Sequence, residues 1–115
     1  MPIILLVDDS PVVRRAVARR LEAEGFDVRE EGSAAGALGA DAALLAAAII
    51  DIELPDGSGI DLAADLRARA ASLPVAFFTA TASPTVLAQT RPYGAVFAKP
   101  ELDPLVAWAR QSAAR

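Results

Sequence analysis

Five side chains of the 115-residue chain stand where they could do chemistry together: Asp8 and Asp9 in "LLVDDS", Asp51 in "IIDIE", Thr79 in "FFTAT" and Lys99 in "FAKP". Each follows a short apolar run, so each is expected at the end of a buried element. Three carboxylates gathered at one place repel one another strongly unless a cation joins them. Lys99 supplies one positive charge. A divalent ion would supply two more, and because the ligands are all oxygens the hard ion Mg²⁺ is the natural candidate. With such an ion present, an aspartate could attack a phosphoryl group and carry it as an aspartyl phosphate. The ammonium and the threonine hydroxyl would then stabilise charge on the phosphoryl oxygens. A carboxylate is already ionised, so this chemistry requires no general base. That matters here, because the chain contains no histidine. Imidazole catalysis, Ser-His-Asp triads and histidine-ligated metals are excluded together.

These residues are far apart in sequence, and a fold must bring them together. Ile3–Val7, Ala47–Ile52, Val75–Phe78 and Ala95–Ala98 are short apolar runs, broken only by Asp51, as expected of strands buried on both faces of a parallel sheet. "FDVRE" (26–30) alternates apolar and polar residues and reads as an edge strand. Between the strands lie helical patterns. In "SPVVRRAVARRLEAEG" the residues Val13, Val17 and Leu21 form a core-facing stripe. Ser10-Pro11 is a start signal and Gly25 a stop. Start signals return at Ser83-Pro84 and Asp103-Pro104. The stretches 33–46 and 59–71 also read as helices, with Leu62 and Leu66 on the buried face of the latter and Asp65 four residues before Arg69 as a favourable pair. Strand and helix thus alternate five times, which implies an α/β fold with helices on both faces of a parallel sheet. In such sheets ligands bind beyond the carboxyl ends of the strands. Asp8, Asp9, Asp51, Thr79 and Lys99 all belong to that rim.

The composition agrees with a single globular domain over residues 1–115. The chain is 54% hydrophobic and 23% charged, with a net charge of −4. No basic cluster or aromatic stripe suggests nucleic acid as a partner. No apolar run approaches the roughly 18 residues of a membrane span. There is no cysteine, hence no disulfide framework. The start "MPIILLVDD" lacks the basic leader of a signal peptide, and a cytoplasmic location is expected.

The segments "ILLVDDSP", "AAIIDIELPDGSGIDL", "PVAFFTAT" and "VFAKP", in this order, resemble the receiver domain of two-component response regulators across essentially the whole chain. The resemblance implies a flavodoxin-like, doubly wound (βα)5 fold whose five parallel strands lie in the order 2-1-3-4-5. It implies that Asp51 is the phosphoacceptor, that Asp9 binds Mg²⁺ directly, that Asp8 acts mostly through metal-bound water, and that the backbone carbonyl of Glu53 is a further ligand. Thr79 would be the switch hydroxyl and Lys99 the phosphate-pairing lysine, joined to Pro100 by a bond that is usually cis in the family. Ala80 is small, as suits the approach of a phosphodonor. Glu53 and Thr81 occupy positions that tune dephosphorylation, here toward an intermediate to slow rate. The implied partners are a sensor histidine kinase or histidine phosphotransfer protein and a downstream protein. The chain would be a monomer or a phosphorylation-dependent dimer, have no output domain, and catalyse only its own phosphorylation and dephosphorylation.

Some positions depart from the family pattern. Val96 stands where an aromatic usually rotates inward on activation, with Phe97 one residue later. Glu101 replaces the usual phenylalanine after Lys-Pro. The span from Thr79 to Lys99 is short, so the helix between them is expected to be short or irregular. Blander readings exist for every site residue: Asp8 and Asp9 as helix-capping acids, Asp51 as a loop cap, Thr79 as a strand former, Lys99 as a solvated charge. Their joint occurrence favours the phosphoacceptor reading. The alternatives are a receiver-like interaction module that is never phosphorylated and an aspartate-nucleophile phosphatase of the haloacid-dehalogenase kind. The latter family requires Asp-x-Asp, and here the second position is Ser10. Trp108, on the last helix, is expected to pack or to form an exposed contact rather than to stack on a ligand.

Overall fold

The first strand shows why the apolar runs are continuous. In β1 (Ile3–Val7), Leu5 and Val7 enter one core cluster while Ile4 and Leu6 enter another. Successive side chains leave a strand on opposite faces, so a strand covered on both faces has no polar position. β3 (Ala47–Ile50) and β6 (Val75–Thr79) repeat this division: Ala48, Ile50, Val75 and Phe77 lie on one face, and Ala47, Ile49, Ala76 and Phe78 on the other. β2 (Asp27–Glu31) and β7 (Gly94–Ala98) close the two edges. All pairings in this sheet are parallel and the order is β2-β1-β3-β6-β7, which is 2-1-3-4-5 among its own strands. The computed structural model describes residues 1–113.

The helices cover the sheet from both sides. α1 (Pro11–Ala23) and α5 (Leu102–Ala113) pack on one face through Val17, Leu21, Leu105, Val106 and Ala109. α2 (Ala34–Leu38) and α3 (Gly59–Arg69) cover the other through Ala37, Leu62 and Leu66, and α4 (Pro84–Thr90) adds Val86. Ser10, Ser33, Ser58 and Ser83 cap the first four helices, each hydroxyl accepting a backbone N–H of the first turn. At the end of α1, Gly25 takes φ +96°. Its N–H bonds the Glu22 carbonyl and the Phe26 N–H that of Leu21, a pairing that satisfies the final carbonyls and turns Phe26 into the core beside Leu21.

Several boundaries differ from the sequence reading. The helix expected over 33–46 is only α2 followed by a 3-10 turn at Ala42–Leu44. Gly36 and Gly39 lower helix stability, and the Asp41 carboxylate starts the new turn by accepting the Ala43 N–H. α3 stops at Arg69, where Ala70 turns extended. Arg69 does not pair with Asp65 but donates to the Leu38 carbonyl, 2.8 Å away. α5 begins before Asp103-Pro104, so Asp103 lies in its first turn rather than capping it. The edge strand β2 runs one residue later than expected, leaving Phe26 outside it. A two-residue hairpin, β4 (Glu53–Leu54) with β5 (Gly57–Ser58), was not expected, although "PDG" at 55–57 is a turn signal. α4 is short, at 7 residues, as the Thr79–Lys99 spacing predicted.

Candidate functional site

β1, β3 and β6 end side by side, and with the turn after β7 they deliver Asp8, Asp51, Thr79 and Lys99 to one rim. Asp8, Asp51 and Thr79 are buried, while Asp9 remains exposed. The backbone of each neighbour holds the rim in register: Asp51 donates its N–H to the Val7 carbonyl at 2.8 Å and Lys99 donates its own to the Thr79 carbonyl at 3.0 Å.

Asp51 is the first residue after β3, where the chain leaves the sheet. Its position depends on Gly59: a Cβ there would stand 2.0 Å from the Asp51 carbonyl oxygen, so α3 can begin beneath Asp51 only because that residue lacks a side chain. Asp51 Oδ1 accepts the Glu53 N–H at 3.3 Å. Asp51 Oδ2 accepts from Lys99 Nζ at 2.8 Å. The same ammonium lies 2.7 Å from Asp8 Oδ2, so Lys99 bridges two buried carboxylates. Burial is the largest single influence on the Lys99 ammonium and pulls its pKa down, but hydrogen bonds and charge from Asp51 and Asp8 together outweigh it and hold it above the usual lysine value. The Lys99–Pro100 peptide is cis.

One carboxylate oxygen each from Asp8, Asp9 and Asp51 can be chosen so that all lie within 4.8 Å of one another. These hard oxygen donors, close together and partly open through Asp9, suit a small divalent cation such as Mg²⁺. Asp8 is tied down on every side: Oδ1 accepts the Ser10 N–H at 2.9 Å, its own N–H reaches the Glu31 carbonyl at 3.1 Å, and its carbonyl accepts from Arg14 Nη1 at 2.7 Å.

The opposite wall is looser. Thr79 Oγ1 accepts the Thr81 N–H at 3.2 Å. Thr81 Oγ1 in turn donates to Glu53 Oε1 at 2.9 Å, linking the β6–α4 loop to the hairpin across the mouth of the site. Ala80 is exposed at that mouth. Val96 packs on the α3 face and Phe97 on the other, against Trp108 with ring centroids 6.4 Å apart. Phe97 therefore cannot stand in for an aromatic at Val96, because a shift of one residue reverses the face.

Two participants escaped the sequence reading. Arg14 reaches the site's backbone from α1, and Asp56, in the hairpin turn, accepts the N–H groups of Ala34 and Ala35 at 2.9 and 3.0 Å. Asp56 thereby joins the Glu53 segment to the start of α2. Those two backbone bonds hold its carboxyl below the ordinary aspartate value. The sole local hint was an acid in a Pro-Asp-Gly turn.

The response regulator receiver domain family model matches residues 4–103. The transcriptional regulatory protein KdpE of Mycobacterium tuberculosis is 40% identical over 68 residues, covering 58% of this chain and 30% of KdpE. The chain thus spans about a third of the length of the curated regulators that it matches. Among solved structures, a CheY-like response regulator receiver domain protein from Methanospirillum hungatei superposes with a TM-score of 0.91 at 24% identity, over 99% of this chain and 94% of the other. A sensor protein from Polaromonas superposes with a TM-score of 0.86 at 30% identity, over 98% and 96% of the two chains. Among the described residues, no helix is long and apolar enough to cross a membrane.

Proposed function

Because the chain belongs to the response regulator receiver domain family, we propose that Asp51 accepts a phosphoryl group from a sensor histidine kinase or a histidine phosphotransfer protein and that the chain signals, or relays the group, from that state. The observation that carries this reading is the placement of Asp51: buried at the carboxyl end of β3, bound to Lys99 at 2.8 Å, beside the Asp8–Asp9 pair.

Asp8, Asp9, Asp51 and the backbone carbonyl of Glu53 would hold Mg²⁺. When bound, the ion supplies positive charge that offsets the developing charge on the phosphoryl oxygens. An Asp51 carboxylate oxygen forms the new O–P bond as the P–N bond of phosphohistidine breaks, and the electron pair leaves with the imidazole. The attack uses a carboxylate lone pair, so the protein need move no proton in that step. Lys99 is already charged and stands beside the attacking oxygen, so its ammonium can follow the negative charge from the carboxylate to the phosphoryl group. Thr79 can donate its hydroxyl proton to a phosphoryl oxygen while its oxygen still accepts the Thr81 N–H. Ala80 leaves the donor room to enter.

The phosphorylated state shifts an existing conformational equilibrium, read by a downstream protein in the cytoplasm or by a second copy of the chain. Val96 makes that shift independent of an aromatic at its position. The chain acts on its own phosphoryl group rather than turning over a separate substrate. The Thr81–Glu53 hydrogen bond supports a role for that pair in the lifetime of the phosphorylated state, which is expected to be intermediate to long. A Glu53→Ala variant with an unchanged lifetime would remove Glu53 from that role.

The test is incubation with Mg²⁺ and acetyl phosphate followed by intact mass. A gain of one phosphoryl group that requires Mg²⁺ and is lost in Asp51→Asn is the expected result. No gain from acetyl phosphate or from a phosphorylated histidine donor, together with no Mg²⁺ binding, would overturn it and leave an interaction module with a receiver fold.

A further inference from the structure

Arg14 lies one helical turn into α1 and makes a contact that helix packing does not require. Its Nη1 donates to the Asp8 carbonyl at 2.7 Å. That oxygen belongs to the planar peptide unit joining Asp8 to Asp9. Gripping it sets the rotation of the plane, and with it the direction in which the Asp9 side chain leaves the backbone. Nε of the same guanidinium is buried without a hydrogen-bond partner and lies 3.4 Å from Glu30 Oε1, in ion-pair range. Glu30 is itself held by Arg15 Nη1 at 2.8 Å. Room for this arrangement comes from Gly32, where a Cβ would stand 3.2 Å from Arg14 Nη1. Arg15, Glu30 and Arg14 thus form a chain of charges from the outer face of α1, past the edge strand β2, to the peptide between the two acids.

We propose that Arg14 is a positioning residue for the cation site: it fixes the Asp8–Asp9 peptide so that both carboxylates face Mg²⁺, and Glu30 holds it in place. The inference rests on the reading of these acids as metal ligands. A plain α1–β2 staple would make the same ion pair with Glu30 but would have no bearing on the metal. Electrostatics alone predicts the opposite sign, because removing a positive charge near a cation site strengthens cation binding. Positioning predicts weakening, since groups that orient metal ligands typically cost ten- to a hundred-fold in affinity when replaced.

The experiment is calorimetric titration of the intact, metal-free chain with MgCl2, alongside thermal melting without metal. Arg14→Met keeps the aliphatic stem and removes the donors. It is expected to weaken Mg²⁺ binding roughly tenfold or more. Arg14→Lys retains one charged donor for the Asp8 carbonyl but loses the fork, and Glu30→Gln keeps the fork but loosens it. Both are expected to weaken binding less than Arg14→Met, in the same direction. In the metal-free protein, the NMR amide signals of Asp9 and Ser10 are expected to shift in Arg14→Met, a change that needs no metal. Arg14→Met that binds Mg²⁺ as tightly as the parent, or more tightly, would overturn the proposal even if its melting temperature falls. Should Arg14→Met fail to fold, unchanged Mg²⁺ affinity in both Arg14→Lys and Glu30→Gln would overturn it equally. A parent chain that does not bind Mg²⁺ would instead remove the metal reading itself.

Discussion

The two walls of the site are built differently. On the β1–α1 side, Asp8 is buried and bonded through its N–H, its carbonyl and both carboxylate oxygens. The helix behind it is 13 residues long, capped by Ser10 and closed by Gly25, and buries Val17, Ala18 and Leu21. On the β6–α4 side, the Thr79 hydroxyl is held by one backbone N–H, residues 80–85 are all exposed, and the 7-residue helix that follows buries only Thr90 fully. The same strand–loop–helix unit has thus been used as a fixed support in one place and as a loosely attached segment in the other. Regions with few buried apolar contacts open at low local free energy. If the site signals by rearrangement, the physical capacity for it lies on the Thr79 side, while the acids that would bind the cation stay in place.

The largest test of this contrast is packing. Leu21→Ala should cost about 3 kcal/mol in chemical denaturation, as a buried leucine does. Leu87→Ala, in the exposed face of α4, should stay within about 0.5 kcal/mol. Comparable losses would erase the distinction between the walls.

Lys99 couples the fixed wall to the centre. Lys99→Met leaves Asp8 and Asp51 facing each other without their shared cation, and should lower metal-free stability by on the order of 3 kcal/mol. Millimolar MgCl2 should recover much of that loss in a melting experiment, because a divalent ion replaces the missing charge. The pH dependence has a definite sign. The folded-state value for Lys99 is raised, so its contribution is complete below about pH 10, the ordinary lysine value, and is lost as the pH climbs through the folded value. The stability gap between parent and Lys99→Met should therefore narrow above about pH 10. A gap that persists unchanged at alkaline pH would contradict the ion-pair assignment.

Native-state hydrogen exchange sharpens the comparison residue by residue. Amides of Val17–Leu21 should exchange only through global unfolding, and those of Leu87–Thr90 through much cheaper local opening. Equal protection would mean that α4 is anchored as firmly as α1.

The smallest expected effect concerns the hairpin that carries Glu53. Asp56 accepts two N–H groups at the start of α2, which lowers its pKa. The stabilisation is present above about pH 4, the ordinary aspartate value, and is lost as the pH falls through the depressed one. Asp56→Ala should lower the melting temperature slightly at neutral pH, with the difference closing in acid. A difference that persists at low pH would assign the effect to something other than this cap.

Much of this architecture was readable in the linear chain because it depends on local rules. Apolar runs marked the doubly covered strands β1, β3 and β6, whereas the run at 95–98, expected to be buried on both faces, forms the edge strand β7 with Ala95 and Ala98 exposed. Ser-Pro pairs marked helix starts at Ser10 and Ser83, and the short Thr79–Lys99 spacing anticipated the abbreviated α4. The errors came where local rules compete. The glycines at 36 and 39 had to be weighed against an alanine-rich helical pattern, and the chain broke there. Asp65 and Arg69 had helical spacing, but Arg69 found a better acceptor in the Leu38 carbonyl.

What the sequence determined by itself was the set of residue types at the carboxyl ends of the strands, and hence the chemistry open to them. With no histidine or cysteine in the chain, any chemistry at that rim must use carboxylates, a hydroxyl, the single lysine or a bound ion, and oxygen ligands of this kind suit a hard cation. Only the tertiary structure decided that Lys99 bridges Asp8 and Asp51, that Arg14 grips the peptide between Asp8 and Asp9, and that Asp56 caps a helix some twenty residues before it. These contacts join residues whose separation in sequence carries no periodic signal. Which donor meets which acceptor follows from the parallel pairing, order and register of the strands, and a single misplaced turn would have sent each side chain elsewhere.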